Sequence, residues 1–316
     1  MSTISAISHN SQFDYSQPNP ARAESITKAA SKQTYYTIHF LVDRERVADA
    51  YRAYGYFRWL DDRLDEGGME KSDRLAFVER QQMLLDRCYQ GEHCRDLTDE
   101  ETLLVELVHH DHEKQSGLQA YLRNMIAVMA FDAERRDRLI SKQELNEYTH
   151  HLAVAVTEAL HYFIGQGCQS PRDETRYLAV TAAHITHMLR DTIDDTEAGY
   201  YNIPREYIES QGIDPREVWS DPYRRWVQSQ VELARNYFKM GRDYLSQVEN
   251  PRCRLAGYAY IARFAGVLDT IEQDGYRLRS EYPECKGLIA GMKMIGTAFY
   301  RMFQRPQARF HALPMS

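Results

Sequence analysis

The sequence lacks several features that mark whole classes of protein. It contains no run of about 18 apolar residues, so we expect no membrane-spanning helix. The first residues have no apolar core, so we expect no secretory signal. Its formal net charge is −7, which argues against a protein that binds nucleic acid through a basic surface. We therefore predict a cytoplasmic protein and allow for peripheral contact with a membrane.

Cysteine and proline are also scarce. The five cysteines are scattered and form no CxxC pair, at Cys88, Cys94, Cys168, Cys253 and Cys285. A zinc knuckle or a disulfide framework is therefore not expected, and a reducing compartment fits best. No proline occurs between Pro20 and Pro171, and a stretch without proline can remain helical over a long distance.

Apolar residues recur at steps of three and four through most of the chain, which predicts amphipathic helices. Hydrophobic residues make up 43% of the composition, enough for a sizeable core. No alternating pattern bounded by hairpin turns suggests strands. We predict one all-α domain over residues 23–305. Residues 1–22, rich in Ser, Asn, Gln and Pro, are predicted to be a disordered tail, and residues 306–316 a second tail.

Several helix boundaries can be predicted from capping signals. Ser141 is followed three residues later by Glu144, which is the pattern of a capping box. Pro171 is predicted to open the helix that ends near Thr196. The apolar segment 287–303 is predicted to form the last helix.

An acidic cluster follows an aromatic run in the segment WLDDRLDEG. Asp61 and Asp65 are four residues apart, so on a helix they lie on one face, with Asp62 alongside. Like charges at this spacing repel each other, and an arginine, solvent or a divalent cation must compensate. Taken alone, the cluster is equally compatible with a solvated acidic end of a helix.

A second acidic cluster, in the segment LRDTIDDTEAG, favours a metal site over a solvated end of a helix. Asp191 and Asp195 are again four apart, with Asp194 three residues from Asp191. Carboxylate oxygens suit Mg²⁺, which commonly takes one or two protein carboxylates and completes its shell with water and phosphate. Two clusters on separate helices could hold Mg²⁺ around a diphosphate and assist its departure. Arg58 and Arg190, beside the clusters, could contact its phosphates.

These motifs resemble those of the squalene/phytoene synthases, the head-to-head isoprenyl diphosphate synthases. The segment YRAYGYFRWLDDRLDE resembles the first aspartate motif, through Tyr54, Arg58 and the aspartates that follow. MLRDTIDDTEAGYYNIP resembles the second. SKQTYYTIHFL resembles an N-terminal segment that helps to hold diphosphate, and there the matching residues are Ser31, Lys32 and Thr34.

The resemblance implies a helical bundle of the isoprenoid-synthase type with a central hydrophobic cavity. It implies prenyl diphosphate substrates and about two or three Mg²⁺ ions. The aspartates would bind the metal, as Asp61, Asp62, Asp65, Asp191, Asp194 and Asp195. Of these, Asp61, Asp65, Asp191 and Asp195 would be catalytic together with Tyr54. NADPH is used by squalene synthases but not by dehydrosqualene or phytoene synthases, and the sequence gives no indication of it.

The chain departs from the family pattern at five positions around the expected substrate site. His184 and His187 stand where the family usually carries Gln and Asn. Val154 and Thr157 replace two small glycines beside the prenyl chain. Phe264 stands where a diphosphate-binding tyrosine is common. These changes affect phosphate contacts and tunnel shape, while both aspartate motifs remain.

Three hypotheses follow for the function. The first is an enzyme that joins two prenyl diphosphates head to head, giving a squalene-, dehydrosqualene- or phytoene-type product. The second keeps the ionisation but changes its outcome, so that the cation cyclises, meets water or alkylates a small-molecule acceptor such as an aromatic ring. The third is a non-catalytic family member that acts in binding or assembly.

Overall fold

The computed structural model describes residues 19–65, 68–283, 296–298 and 300. Over the ranges up to residue 283, the chain folds into consecutive α-helices, some of them separated by short 3₁₀ turns. These helices are α1 Asn19–Ala30, α2 Lys32–Leu41, α3 Val47–Leu64, α4 Lys71–Tyr89, α5 Asp99–His109, α6 Gly117–Arg135, α7 Lys142–Phe163, α8 Leu178–Glu197, α9 Arg205–Gln211, α10 Asp221–Leu245 and α11 Pro251–Gln273.

The all-α prediction is confirmed. No strand occurs among the described residues, and the only strand-like pairing there is an isolated bridge between Arg138 and Tyr200. Among the helices that the structure describes, none is long and apolar enough to cross a membrane. The predicted last helix and the predicted C-terminal tail lie largely or wholly outside the described residues.

The helix starts follow local side-chain chemistry. At α7, the Ser141 hydroxyl accepts from the backbone N–H of Glu144, and the Glu144 carboxylate accepts from the backbone N–H of Ser141. The predicted capping box is therefore confirmed. Thr98 and Glu101 form the same reciprocal pair at α5. Each box satisfies backbone donors that the first turn of a helix leaves without intrahelical partners.

The predicted start of α8 is wrong. Pro171 does not open the helix, which begins at Leu178 after a 3₁₀ turn at Glu174–Tyr177. The physical reason is local: the Asp173 carboxylate accepts from the backbone N–H of Thr175 and so caps the 3₁₀ turn instead of an α-helix. The predicted end near Thr196 agrees with the observed one.

The first described helix, α1, begins at Asn19 and packs against α3. Arg22 fastens it to the start of α5, with its Nη1 2.9 Å from Asp99 Oδ2 and its Nη2 2.5 Å from Glu100 Oε1. The bounds of the domain and of its tails stay a prediction.

The two helices with acidic clusters lie at the centre of the packing. α3 contacts α1, α2, α5 and α6, and α8 contacts α7, α10 and α11. α10 approaches α8 closely at Gly241, where a Cβ atom would lie 2.7 Å from the Cβ of Ala179. Because only glycine allows that approach, the packing of α10 fixes the position of α8. The α6–α7 pair connects the two groups of helices, since α6 contacts α3 and α7 contacts α8.

Candidate active site

The first acidic cluster lies at the C-terminal end of α3. Asp61 is buried, with 5% of its surface exposed. Burial, together with the nearby Asp65 carboxylate, raises the pKa of Asp61 to about 7. Burial also raises the pKa of Asp65. In both cases the nearby positive charge does not offset the effect of burial.

Arg58, one turn before Asp61, binds mainly to Asp62. Its Nε donates to Asp62 Oδ2 at 3.0 Å, whereas its Nη1 lies 3.9 Å from Asp61 Oδ2. The Asp62 side chain is half exposed. The three aspartates of the first motif therefore differ: Asp61 faces the interior, Asp62 is held by Arg58 at the surface, and Asp65 is exposed.

The predicted N-terminal residues lie beside this cluster. Ser31 caps α2, where its hydroxyl accepts from the backbone N–H of Thr34 and lies 2.9 Å from the Thr34 hydroxyl. Burial raises the pKa of the Tyr54 phenol, and the Ser31 hydroxyl next to it partly offsets that rise. Lys32 is exposed on the first turn of α2. Hydroxyl groups from two helices therefore meet near Arg58.

The second cluster lies on α8, where an arginine and an imidazole hold Asp191. The Arg190 guanidinium forms a fork on Asp191, with Nε to Oδ1 at 2.6 Å and Nη2 to Oδ2 at 2.8 Å. His187 Nε2 lies 3.2 Å from the same Oδ2. Burial would raise the pKa of Asp191, but the hydrogen bonds from His187 and Arg190 outweigh it and lower the pKa to about 2. Asp191 is therefore ionised.

The other two aspartates of the second cluster, Asp194 and Asp195, differ in their exposure to solvent. Asp195 is buried, and its Oδ2 accepts from the side-chain amide of Asn202 at 2.8 Å. Asp194 is exposed. As on α3, one aspartate of the adjacent pair faces the interior and the other faces solvent.

A buried polar network connects the surroundings of both clusters, and the sequence analysis missed it. Arg135 on α6 donates to Asp132 Oδ1 at 2.7 Å and to Asn202 Oδ1 at 2.8 Å, and Asn202 in turn holds Asp195. The Tyr148 hydroxyl donates to Asp132 Oδ2 at 3.0 Å. The charge of Asp132 contributes to the raised pKa values of both Asp61 and Asp65. The α3 and α8 clusters thus border a single network.

One signal in the sequence could have revealed part of that network. Asp132 and Arg135 stand three residues apart at the end of an otherwise apolar helix, a spacing that places opposite charges together. Their contact with Asn202 could not be read in the same way, because Asn202 lies in the loop after α8.

His184 lies one turn before His187 and is almost completely buried, with 5% of its surface exposed. Neither ring nitrogen has a hydrogen-bond partner among the described residues, and the ring stands edge-on to Tyr148 at 5.1 Å between centroids. Burial lowers the pKa of His184 to about 3, with a further contribution from His187. Burial also lowers the pKa of His187, to about 4. Both imidazoles are therefore neutral near pH 7.

The remaining predicted residues lie on α7 and α11. Thr157 is buried, and within the part of the chain that the structure describes its hydroxyl has no hydrogen-bond partner. Val154 is half-buried. Phe264 is buried against His187, with 5.6 Å between the ring centroids. Phe264 on α11 and His187 on α8, which both depart from the family pattern, therefore lie next to each other.

The arrangement fits a divalent cation. Among the described residues, no three acidic, histidine or cysteine side chains lie close enough to form a ready-made metal site. Mg²⁺ does not need such a group, because it commonly binds one or two carboxylates and keeps water or phosphate as its other ligands. Burial raises the pKa of Asp61 and Asp65, so a nearby cation would favour their ionised forms, and carboxylate oxygens are the ligands that Mg²⁺ prefers.

Comparison with known proteins defines the class. A family model described as squalene/phytoene synthase matches residues 27–286, which include both acidic clusters and every predicted site residue. The protein is thus a prenyltransferase by class. The chain belongs to the squalene/phytoene synthase family. At the level of the family, the reaction is the head-to-head condensation of two prenyl diphosphates. The resemblance seen in the motifs is confirmed.

Individual relatives are distant. The chain is 26% identical to the presqualene diphosphate synthase of Zymomonas mobilis over 66% of this chain and 69% of the relative. It is 24% identical to the 15-cis-phytoene synthase of Synechococcus elongatus over 82% and 86% of the two chains. It matches 47% of the length of a chloroplastic phytoene synthase from an Oncidium hybrid cultivar, at 24% identity.

Solved structures support the fold. A squalene synthase from Alicyclobacillus acidocaldarius superposes with a TM-score of 0.66 at 20% identity, covering 83% of this chain and 95% of that one. A dehydrosqualene synthase superposes with a TM-score of 0.66 at 16% identity, covering 90% and 95%. At such identities the likeness is one of fold, and it confirms a single all-α domain of the isoprenoid-synthase type.

Proposed function

We propose that this protein joins two prenyl diphosphates head to head in a Mg²⁺-dependent reaction. The observation that carries the proposal is the pair of buried aspartates, Asp61 on α3 and Asp195 on α8, at the edges of one polar network. Family membership supports the same reaction. A hydrophobic cavity for the prenyl chains, which the resemblance implies, stays a prediction.

Aspartates of both clusters would bind the metal, namely Asp61 and Asp65 at the C-terminal end of α3 and Asp191 and Asp195 on α8. Mg²⁺ would neutralise charge on the departing diphosphate. Asp62 and Asp194, which face outward, would act as ligands only after their side chains turn inward. Arg58 would contribute to diphosphate binding after leaving Asp62, and Arg190 after leaving Asp191.

In the first step, the bond between C1 and the diphosphate oxygen of one substrate breaks, and the oxygen keeps the electron pair. The C2–C3 alkene of the second substrate attacks the resulting allylic cation, and loss of a proton closes a cyclopropane ring. The hydroxyls of Ser31, Thr34 and Tyr54, grouped beside Arg58, would hold diphosphate oxygens during this step. In the second step, the remaining diphosphate leaves with the electron pair of its C–O bond, and the carbon skeleton rearranges to a linear cation. That cation becomes a neutral product by losing a proton or by accepting a hydride from NADPH.

The proposal is tested by incubating the purified protein with Mg²⁺ and with farnesyl or geranylgeranyl diphosphate, followed by mass spectrometry of organic extracts. We expect a product that contains two prenyl units, and Asp61→Ala or Asp191→Ala should abolish its formation. Addition of NADPH to a parallel reaction reports whether the last cation is reduced. A product with only one prenyl unit would contradict the proposal.

One observation favours a second candidate, in which the cation meets a different acceptor. His184 places a neutral imidazole without a polar partner on the same face of α8 as Asp191 and Asp195. Such a group could accept a proton from a cation or orient a water molecule. This candidate predicts an alcohol, a cyclic terpene or a prenylated acceptor in the same assay.

A further inference from the structure

The loop that follows α8 is fastened to the chain that follows α6 by backbone hydrogen bonds. The N–H of Asp137 donates to the carbonyl of Gly199 at 2.8 Å, and the N–H of Arg205 donates to the carbonyl of Ile140 at 2.8 Å. Gly199 has a φ of +86°, and a Cβ atom there would collide with the Asp137 carboxylate, so this close approach requires glycine. The loop is therefore held at both of its ends.

Asn202 stands in this loop between two buried charged groups. Its Oδ1 accepts from Arg135 Nη1 at 2.8 Å, and its Nδ2 donates to Asp195 Oδ2 at 2.8 Å. The side chains of Arg135, Asn202 and Asp195 are all buried. A guanidinium group can only donate, so the amide oxygen must face Arg135 and the amide NH₂ group must face Asp195. Arg135 therefore sets the orientation of the Asn202 amide.

Arg135 is itself held by side chains of α6 and α7. Its Nε donates to Asp132 Oδ1 at 2.7 Å, and the Tyr148 hydroxyl donates to Asp132 Oδ2 at 3.0 Å. The guanidinium carbon also lies 4.8 Å from the centroid of the Tyr148 ring. A buried ion pair is a weak source of stability, because the cost of desolvating both charges offsets their attraction. The network is better explained by the geometry that it imposes on Asn202.

We propose that Asn202 is a positioning residue that, with its amide oriented by Arg135, holds the Asp195 carboxylate in the direction needed to bind a divalent cation. This single hydrogen bond does not use up the capacity of a carboxylate, which has about four acceptor sites, to bind a cation. Hydrogen-bond partners of metal ligands commonly orient those ligands in this way. The inference rests on the proposed function for the role of Asp195 as a metal ligand.

The test measures binding of Mn²⁺ to the full chain by electron paramagnetic resonance, because Mn²⁺ prefers the same oxygen ligands as Mg²⁺. Asn202→Leu keeps the approximate size of the side chain but removes the donor, and it should weaken Mn²⁺ binding by about tenfold to a hundredfold. In turnover assays, the Mg²⁺ concentration that gives half of the maximal rate should rise by a similar factor, and saturating Mg²⁺ should restore most of kcat. A merely structural role would not give this rescue by the metal.

Asn250→Leu is the matched control. Asn250 caps α11, where its Oδ1 accepts from the backbone N–H groups of Arg252 and Cys253. Its replacement should lower the melting temperature because a helix cap is lost, yet leave Mn²⁺ affinity within about twofold of the wild type. If thermal melting shows that Asn202→Leu does not fold, Asn202→Ser carries the test. Its hydroxyl is too short to reach Arg135 and Asp195 at once, so we expect a loss of affinity of about threefold to tenfold.

The outcomes separate this inference from the proposed function. If the folded variant at position 202 binds Mn²⁺ as tightly as the wild type does, or if the wild type binds no Mn²⁺, the inference is overturned whatever the product is. If Mn²⁺ affinity depends on Asn202 but the product contains one prenyl unit, the role of Asn202 stands and the head-to-head reaction fails.

Discussion

Replacing Asp61 by Asn should stabilise the metal-free protein while abolishing its activity. The folded-state pKa of Asp61 is raised to about 7, against 3.8 for the unperturbed group. A raised pKa means that the carboxyl stabilises the fold when protonated, at low pH, and that this contribution is lost as the pH rises towards 7. A difference of about 3 pKa units corresponds to roughly 4 kcal/mol as an upper bound, and Asp61 is too buried for solvent to screen it strongly.

The assay is urea unfolding in EDTA at two pH values. At about pH 8, Asp61→Asn should raise the free energy of unfolding by up to roughly 4 kcal/mol, and at about pH 5 by about half as much, because the folded carboxyl is then protonated. Mg²⁺ with pyrophosphate should raise the melting temperature of the wild type but not of the variant.

The matched control is Asp62→Asn, the same chemical change one residue away. Because Asp62 is half exposed and pairs with Arg58 at the surface, its replacement should change the free energy of unfolding by less than about 1 kcal/mol. Loss of stability in Asp61→Asn at pH 8, or a gain that does not depend on pH, would refute the reasoning.

Three further predictions concern the surroundings of the site. Arg135→Met should lower the free energy of unfolding by about 3–5 kcal/mol, because it leaves Asp132 buried without its cation. Adding Asp132→Asn to this variant should recover much of the lost stability. If stability is not recovered, the two residues are not a coupled pair. His184→Phe should change the free energy of unfolding by less than about 1.5 kcal/mol, since neither ring nitrogen has a partner to lose. A large loss of stability would indicate a polar partner. Gas chromatography of the same variant would show any change in products. Gly241→Val should destabilise the protein by at least about 1–3 kcal/mol through its clash with Ala179, measured by thermal melting, and an unchanged melting temperature would contradict the packing of α10 on α8.

Much of the fold could be predicted because it depends on local patterns. Apolar periodicity predicts helices, and the Ser141–Glu144 box marks the start of α7 through contacts between residues three apart. The start of α8 was missed because Pro171 suggests a helix, whereas the Asp173 side chain stabilises a 3₁₀ turn there. Both signals are local, and the sequence alone does not show which of the two determines the start of the helix.

The aspartates of the site could be found from their spacing, but their environments could not. Asp61 and Asp62 look equivalent in the sequence, yet one is buried and the other is held by Arg58 at the surface. The network of Asp132, Arg135 and Asn202 joins two helices and a loop, so it exists only in the tertiary structure.

The central claim is that the buried aspartates on α3 and α8 serve one metal-dependent condensation of two prenyl diphosphates. The most direct measurement is the mass of the organic product formed from farnesyl or geranylgeranyl diphosphate with Mg²⁺, for the wild type and for Asp61→Ala and Asp191→Ala. The account predicts a hydrocarbon skeleton of two prenyl units from the wild type and none from either variant. A product with a single prenyl unit, or turnover that survives loss of either aspartate, would contradict it.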